Sequence, residues 1–181
     1  MQEYLAKTLQ GLEGVLADEL KALGAKDIEI QRRAVSFKGD KKTLYKANFW
    51  LRTALRILKP VAVFKVNSPD DVYTEIKKLK LEEFINANKT FSIDTTVYSE
   101  QINHSRYVTY KAKDAIVDYF TEKYGKRPTV SVANPDIYFN LHISHTTCTL
   151  SLDSSGAPLF KRGYRVAQTD APINEVLAAG L

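Results

Sequence analysis

The stretch IYFNLHISHTTCTLSLD, residues 137–153, decides the fold of the second half of the chain. Its apolar side chains occupy first odd and then even positions, namely Ile137, Phe139, Leu141 and Ile143, followed by Cys148, Leu150 and Leu152. Because side chains alternate between the two faces of a strand, this change of parity means that the chain has turned. The pattern predicts a β-hairpin with its turn within Ser144 to Thr146. A second turn at residues 153–156 and a short return strand from Pro158 to Tyr164 are predicted to follow.

The segments before this hairpin predict a helix, a strand and a second helix. Ser68 is a good N-cap for a helix that has Pro69 in its first turn and runs towards Ile85. Residues 91–98 alternate apolar and polar side chains, which is typical of a half-buried strand. Ser105 can cap the next helix. The buried face of that helix is predicted to contain Val108, Ala112, Ala115, Ile116, Tyr119 and Phe120.

The first part of the chain alternates strand and helix patterns. We expect a strand from Tyr4 to Leu9 and a helix from Leu12 to Leu23. A strand or hairpin arm should then run from Ile28 to Phe37 and turn at Gly39 and Asp40. A helix from Leu44 to Leu58 and a strand from Val61 to Val66 are expected to complete this part. This β-α-β-α-β order predicts a small α+β unit. Together with the second half of the chain, it predicts an α+β fold built from two units.

Positive charge is concentrated in three segments. Lys and Arg total 26 against 21 Asp and Glu, which gives a net charge of only +5. Residues 32–59, however, hold nine basic residues against one acid, residues 105–127 hold six against three, and residues 161–165 hold three against none. Clustered positive charge is what the neutralisation of phosphates requires. The alternative is that these residues only decorate solvated helix faces.

Two of these segments supply the candidate nucleic-acid contacts. Arg106, Tyr110 and Lys113 share one exposed helix face through their i, i+4, i+7 spacing. Lys123, Lys126 and Arg127 cluster at the far end of that helix, where they also favour the helix dipole. Tyr164 lies between Arg162 and Arg165, close to Lys161, and could stack on a base while its neighbours neutralise phosphates. The alternative for Tyr164 is an anchor for an edge strand.

No catalytic motif is visible along the chain. Neither a Gly-x-Gly-x-x-Gly fingerprint nor a phosphate-binding Gly-x-x-x-x-Gly-Lys loop occurs. Cys148 is the only cysteine, which excludes an intrachain disulfide. His142, His145 and Cys148 have a spacing that permits a metal site, but Cys148 fits better in the core beside Leu150. We therefore predict no active site and no metal site in this chain.

The last dozen residues predict a helix with no visible packing partner. Residues 170–172 (DAP) are a helix start, and an apolar stripe follows, formed by Ile173, Val176, Leu177 and Leu181. A short isolated helix is marginal in water, so the stripe predicts either a fragment of a longer protein or a terminal helix that folds back onto the core. Signal-peptide and membrane-spanning patterns are not found, so a cytoplasmic protein without a membrane partner is expected.

Four segments of the second half are informative together: FSID at residues 91–94, the basic helix from Ser105, NPDI at residues 134–137 and LFKRGYR at residues 159–165. Together they resemble a THUMP domain, a module of RNA-modifying enzymes. The segments GLE at residues 11–13 and ANFWLRTA at residues 47–54 resemble the ferredoxin-like domain that precedes THUMP in bacterial rRNA guanine methyltransferases. APINEVLAA at residues 171–179 resembles the segment that opens their S-adenosylmethionine-binding domain.

This resemblance implies a domain order and a function. It implies a ferredoxin-like domain at residues 1–66, a THUMP domain with a small mixed sheet at residues 67–166, and the start of a methyltransferase domain at residues 167–181. The catalytic domain and the S-adenosylmethionine site would then lie beyond Leu181, and structured RNA, with rRNA foremost, would be the partner of this chain. Two alternatives stay open: a THUMP module of another RNA-modifying enzyme, and a protein-interaction or small-ligand module.

Overall fold

The computed structural model describes residues 1–163, 165–167 and 170–181. These residues form two compact units, the first made of residues 1–59 and 153–181 and the second of residues 60–152. The contacts thus group residues 153–166 with the first unit, whereas the sequence analysis assigned them to the second. The predicted domain boundaries themselves stay predictions.

The first unit is an antiparallel sheet with helices that cover its apolar residues. Its elements are β1 (Gln2–Lys7), α1 (Glu13–Ala22), β2 (Lys26–Gln31), β3 (Ala34–Gly39), α2 (Lys41–Trp50), the start of β4 (Arg56–Lys65) and α5 (Glu175–Gly180). β1 lies between β3 and β4 and pairs antiparallel with both, and β2 continues the sheet beyond β3. Tyr4, Leu16, Leu20 and Phe37 are buried in its core.

Three predictions for this unit are wrong. The chain turns at Arg32 and Arg33, where Arg33 has a φ of 58°, so residues 26–39 are two strands and not one. Asp40 does not belong to a hairpin turn, because its carboxylate accepts a hydrogen bond from the Thr43 N–H (2.7 Å) and caps α2. The predicted helix to Leu58 ends at Trp50, because Leu51 is extended and residues from Arg56 onwards pair with β1.

The second unit packs two helices on a mixed sheet. Its elements are the rest of β4, α3 (Pro69–Lys77), a 3-10 turn (Leu81–Glu83), β5 (Thr90–Tyr98), α4 (Ser105–Tyr124), β6 (Thr129–Val130), β7 (Ile137–Ser144) and β8 (Thr147–Asp153). β5 pairs parallel with β6 and β7, and β7 pairs antiparallel with β8. Phe91, Phe120 and Phe139 lie in the core between the helices and the sheet. The predicted α+β class and the small mixed sheet are confirmed.

The predicted hairpin is confirmed, with His145 in its turn at a φ of 52°. Phe139, Leu141 and Ile143 from the first arm and Cys148 and Leu150 from the second are all buried, as the change of parity requires. Residues 158–163 form turns, so the predicted return strand is wrong over its described part.

Three predicted helix boundaries also differ from the structure. α3 ends at Lys77 and does not reach Ile85, and His104 rather than Ser105 occupies the N-cap position of α4. α5 begins at Glu175 and not at residue 170, because the Asn174 side chain caps it by accepting a hydrogen bond from the Val176 N–H (2.9 Å). Val176 from the apolar stripe is buried, whereas Ile173 and Leu177 are exposed.

Candidate nucleic-acid interface

Helix α4 supports most of the predicted RNA contacts. Val108, Ala112, Ala115, Ile116 and Phe120 bury one face of it against the core of the second unit. Tyr119, also predicted to be buried, is only partly so. The helix ends at Gly125, which adopts a left-handed conformation with a φ of 65°. Twenty helical residues span about 30 Å, so the two ends of α4 face well-separated points on any ligand.

Arg106 and Tyr110 form a pair at the start of α4. The Arg106 Nε donates a hydrogen bond to the Tyr110 hydroxyl (3.0 Å), and its guanidinium lies 5.9 Å from the ring centroid. Tyr110 is 46% exposed and Arg106 is exposed as well. The pair therefore presents a fixed cation and a ring edge to solvent, a combination that suits a phosphate and an adjoining sugar or base.

The middle of α4 carries cations that are already neutralised. Lys113 pairs with the neighbouring Asp114 at 2.7 Å. Lys111 pairs with Asp70 of α3 at 2.6 Å and lies 5.5 Å from the ring centroid of Tyr107. An RNA phosphate at Lys113 would have to compete with a carboxylate, so the structure makes Lys113 a weaker candidate than Arg106.

Lys123, near the end of α4, is held in a local cluster. Its ammonium forms an ion pair with Glu82 and lies 5.2 Å and 5.6 Å from the ring centroids of Tyr119 and Tyr124. The hydrogen bonds from Lys123 and then from Tyr119 lower the pKa of Glu82 to about 2, and the same contact with Glu82 raises the pKa of Lys123. This arrangement ties α4 to the 3-10 turn, which is a structural role.

Lys126 and Arg127 follow α4 and differ from Lys123. Both are exposed, and no residue in the described part of the chain forms an ion pair with either. Among the candidates on and next to α4, they are the most available cations, together with Arg106. The structure thus leaves two positive points, one at each end of α4, rather than one continuous basic stripe.

The candidates at residues 161–165 have mixed surroundings. The Arg162 guanidinium donates hydrogen bonds to the carbonyl oxygens of Asn48 (2.8 Å), Leu51 (2.9 Å) and Phe49 at the end of α2, and its Nε donates to that of Leu159 (2.8 Å). It therefore acts as a C-terminal cap for α2.

Arg165 and Lys161 have different surroundings. Arg165 pairs with Glu175 at 2.9 Å and donates to the Ile173 carbonyl oxygen (2.7 Å), so it holds the start of α5. Lys161 is exposed. Tyr164 lies outside the residues that the structure describes.

One surface was missed by the sequence analysis. Tyr45, Phe49 and Trp50 project from the outer side of α2 and are 72%, 66% and 61% exposed. The signal was present in the sequence, because Leu44, Ala47 and Leu51 define the inner side of this helix and leave the aromatic residues on the opposite side. Only the apolar inner side was considered in the prediction.

The hairpin residues that permitted a metal site point in different directions. Cys148 is fully buried, and this burial raises the pKa of its thiol to about 12. The His142 ring lies 5.8 Å from that of Tyr98. Within the described ranges, no three His, Cys, Asp or Glu side chains are close enough to share a metal ion. Over the same ranges, no helix combines the length and the apolar character that a membrane span needs.

Two family models match the chain, one for each half. The RlmL ferredoxin-like domain matches residues 3–58, and the THUMP domain matches residues 66–153. The second match includes the whole of α4 and the hairpin. The resemblance to a ferredoxin-like domain followed by a THUMP domain is confirmed by these matches.

Known proteins with similar sequences carry methyltransferase names. The chain is 41% identical to "Ribosomal RNA large subunit methyltransferase K/L" of Syntrophotalea carbinolica, over 99% of the chain and 25% of the relative. It is 40% identical to "Putative RNA methyltransferase slr0064" of Synechocystis, over 98% of the chain and 46% of the relative. The solved structure of SMU.472 complexed with SAH has a TM-score of 0.81 and 26% identity, over 99% of the chain and 47% of SMU.472. The chain spans between a quarter and a half of these relatives.

Proposed function

This chain pairs a ferredoxin-like domain of the RlmL type with a THUMP domain, and we propose that it is the RNA-binding region of a ribosomal RNA methyltransferase. The observation that carries this proposal is the position of the unpaired cations. Arg106 lies at one end of α4 and Lys126 and Arg127 at the other, all inside the region that matches the THUMP domain. Cations at the two ends of a helix that is about 30 Å long can contact phosphates on separate parts of a folded RNA.

The proposed mode of binding is shape recognition through the RNA backbone. Side chains cannot read the deep major groove of an A-form helix, so proteins contact double-stranded RNA mainly through phosphates and 2′-hydroxyls. Arg106 and Tyr110 offer a cation and a hydroxyl side by side, which suits such contacts. Lys113, Lys123 and Arg165 stay in the proposed site as weaker members because each is paired with a carboxylate. Lys161 stays as an exposed cation outside the region that matches the THUMP domain. Arg162 is assigned to the fold, and Tyr164 remains a sequence-based proposal.

The activity of the whole protein is part of the proposal. We place S-adenosylmethionine as methyl donor because SMU.472, which is 26% identical, was solved with SAH, the product that this donor leaves behind. We propose large-subunit rRNA as the substrate because the 41% identical relative is named as a methyltransferase of that RNA. The family resemblance is the reason for proposing the guanine N2 atom as the methylated position. An enzyme that methylates ribosomal RNA works where ribosomes are assembled, so we propose the cytoplasm as its location.

The described residues do not fit S-adenosylmethionine. A Rossmann-type cofactor site needs a glycine-rich turn after a parallel strand. The parallel strands β5 and β7 end at Tyr98 and Ser144, and no glycine is found at residues 99–103 or 145–149. The proposal therefore gives the described residues a role in holding RNA and assigns methyl transfer to a separate domain.

The test is RNA binding by the 181-residue chain and by single-residue variants. Fluorescence anisotropy with a labelled RNA duplex, repeated over a series of salt concentrations, gives affinity and its salt dependence. We expect Arg106→Gln and Arg127→Gln each to weaken binding and to lower the slope of log K against log salt by about 1, because each removes one phosphate contact.

Lys65→Gln provides the matched control. Lys65 lies on β4 of the same unit and its ammonium donates to the Thr147 hydroxyl (2.7 Å). The variant therefore changes the net charge by the same amount without altering α4. Equal losses of RNA affinity in Lys65→Gln and Arg127→Gln would mean that only net charge matters. Unaltered RNA binding by Arg106→Gln and Arg127→Gln would refute the proposed interface.

A further inference from the structure

The outer side of α2 carries two parallel rows of exposed side chains. Lys41, Tyr45 and Phe49 form one row and Lys42, Lys46 and Trp50 form the other, each at i, i+4, i+8 spacing. All six are exposed, while Ala47 on the inner side is buried. In each row, the cations lie nearer the N-terminus and the last aromatic residue is at the C-terminal end.

The aromatic end of this surface is large and held in place. Phe49 and Trp50 contact each other edge to face, with ring centroids 5.0 Å apart. The backbone beneath them is fixed by Arg162, which caps the last carbonyl groups of α2. The following turn is fixed by Glu19, whose carboxylate accepts hydrogen bonds from the N–H groups of Arg52 (3.0 Å) and Thr53 (3.1 Å). A rigid pair of exposed rings is unusual on a soluble surface and indicates a binding role.

The charge of this surface selects an anionic partner. No acidic residue occurs from Lys41 to Pro69, and Lys41, Lys42, Lys46 and Arg52 are all exposed. Phe49, Trp50, Arg52 and Arg162 line one shallow cleft at the end of the helix. Aromatic rings beside unpaired cations are the combination with which proteins bind single-stranded nucleic acids, because every base has a face that can stack.

We propose that the outer face of α2, through Phe49 and Trp50 at its C-terminal end, binds unpaired RNA nucleotides. The rings would stack on one or two bases, and Lys42, Lys46 and Arg52 would neutralise the phosphates on either side. This inference rests on the proposal that the chain binds RNA, but it places a second contact in the ferredoxin-like domain, separate from α4. The two contacts would recognise different features, unpaired bases at α2 and backbone at α4.

Trp50 is itself the probe for this proposal, since it is the only tryptophan of the chain. Titration with a short unstructured oligonucleotide, such as oligouridylate, should quench its fluorescence at low salt, because a stacked base quenches indole emission directly. An RNA duplex with blunt ends should bind without comparable quenching.

Anisotropy with the labelled oligonucleotide then measures what the rings contribute. We expect Phe49→Ala and Trp50→Ala each to weaken binding of the oligonucleotide roughly 5- to 150-fold, the range that follows from aromatic-to-alanine changes at stacking sites. Binding of the blunt duplex should stay unchanged. Tyr98→Ala is the matched control, because Tyr98 on β5 is also 61% exposed and should leave both affinities as they are. Circular dichroism spectra should be the same for all variants.

The outcomes separate this proposal from the proposed function. If the oligonucleotide neither quenches Trp50 nor loses affinity in Phe49→Ala, while the duplex still responds to Arg106→Gln, the α2 site is refuted and the α4 interface stands. If the oligonucleotide quenches Trp50 while the α4 variants do not change duplex binding, the α4 interface is refuted and the α2 site stands. A change of Trp50 emission with protein concentration alone would show a contact between copies of the chain and would refute the RNA site.

Discussion

Arg162 offers the sharpest test of the structure, because sequence and structure assign it different roles. The sequence pattern groups it with Lys161, Tyr164 and Arg165 as an RNA contact. In the structure its guanidinium instead donates to four carbonyl oxygens, three of them at the end of α2. We therefore predict that Arg162→Ala destabilises the first unit.

The size of the effect follows from the groups that lose their donor. Leu51 and Leu159 are only 1% and 9% exposed, so their carbonyl oxygens are poorly placed to bind water instead, at a cost of about 1 kcal/mol each. Loss of a positive charge at the C-terminus of a helix costs about 0.3–1 kcal/mol more. Arg162→Ala should thus lower the free energy of unfolding by about 2–3 kcal/mol. Arg162→Lys should have an intermediate effect, because an ammonium keeps the charge but lacks the planar fork.

Urea denaturation followed by Trp50 fluorescence measures this effect locally, because Trp50 lies at the end of the capped helix. With an m-value of about 2 kcal/mol/M, the midpoint should fall by about 1 M. Lys161→Ala is the control. Because its side chain is exposed, the free energy of unfolding should change by less than about 0.5 kcal/mol. If Arg162→Ala and Lys161→Ala both keep the wild-type midpoint and Arg162→Ala loses RNA affinity, the capping role is refuted. The assignment of Arg162 as an RNA contact is then right.

Three further predictions concern the second unit. Gly125→Ala should destabilise it by about 1 kcal/mol in a thermal melt, because Gly125 has a φ of 65° and alanine disfavours that conformation; an unchanged melting temperature would contradict this. The Cys148 thiol, with its pKa raised to about 12 by burial, should resist a thiol reagent at pH 8 in the folded protein and react once urea unfolds it, and rapid native labelling would show that the core is open. Contacts in the folded state lower the pKa of Asp136 and of Glu82 to about 2, from 3.8 and 4.5, so their stabilising contributions should be complete above about pH 5 and be lost as the pH falls towards 2. Asp136→Asn should flatten that acid-side loss of stability, and an unchanged acid profile would contradict the assignment.

Local patterns in the sequence predicted the second unit well. The parity change between Ile143 and Cys148 placed the hairpin turn correctly, because which face of a strand is buried is encoded by alternation alone. Five of the six residues expected on the buried face of α4 are buried, since helical periodicity encodes burial in the same way.

The helix that was predicted to reach Leu58 is an error that arises because distant residues override a local pattern. Residues 44–58 carry apolar side chains at helical spacing, yet Arg56 and Leu58 pair with β1 and form a strand. The helix stops at Trp50 because Glu19 from α1 binds the N–H groups of Arg52 and Thr53, and Arg162 binds the carbonyl groups before them. Neither Glu19 nor Arg162 is near this segment in the sequence, so no local pattern predicts where the helix ends.

By itself, the sequence determined the α+β class, the hairpin, the buried face of α4, the segregation of positive charge and the resemblance to a ferredoxin-like domain followed by THUMP. Only the tertiary structure decided which of the candidate cations are free. It pairs Lys123 with Glu82 and turns Arg162 into a helix cap, while Arg106, Lys126 and Arg127 form no ion pair with any described residue. The physical reason is that burial follows from periodicity within one element, whereas the ion pair of Lys123 with Glu82 and the capping of α2 by Arg162 depend on packing between residues that lie 41 or more positions apart in the sequence.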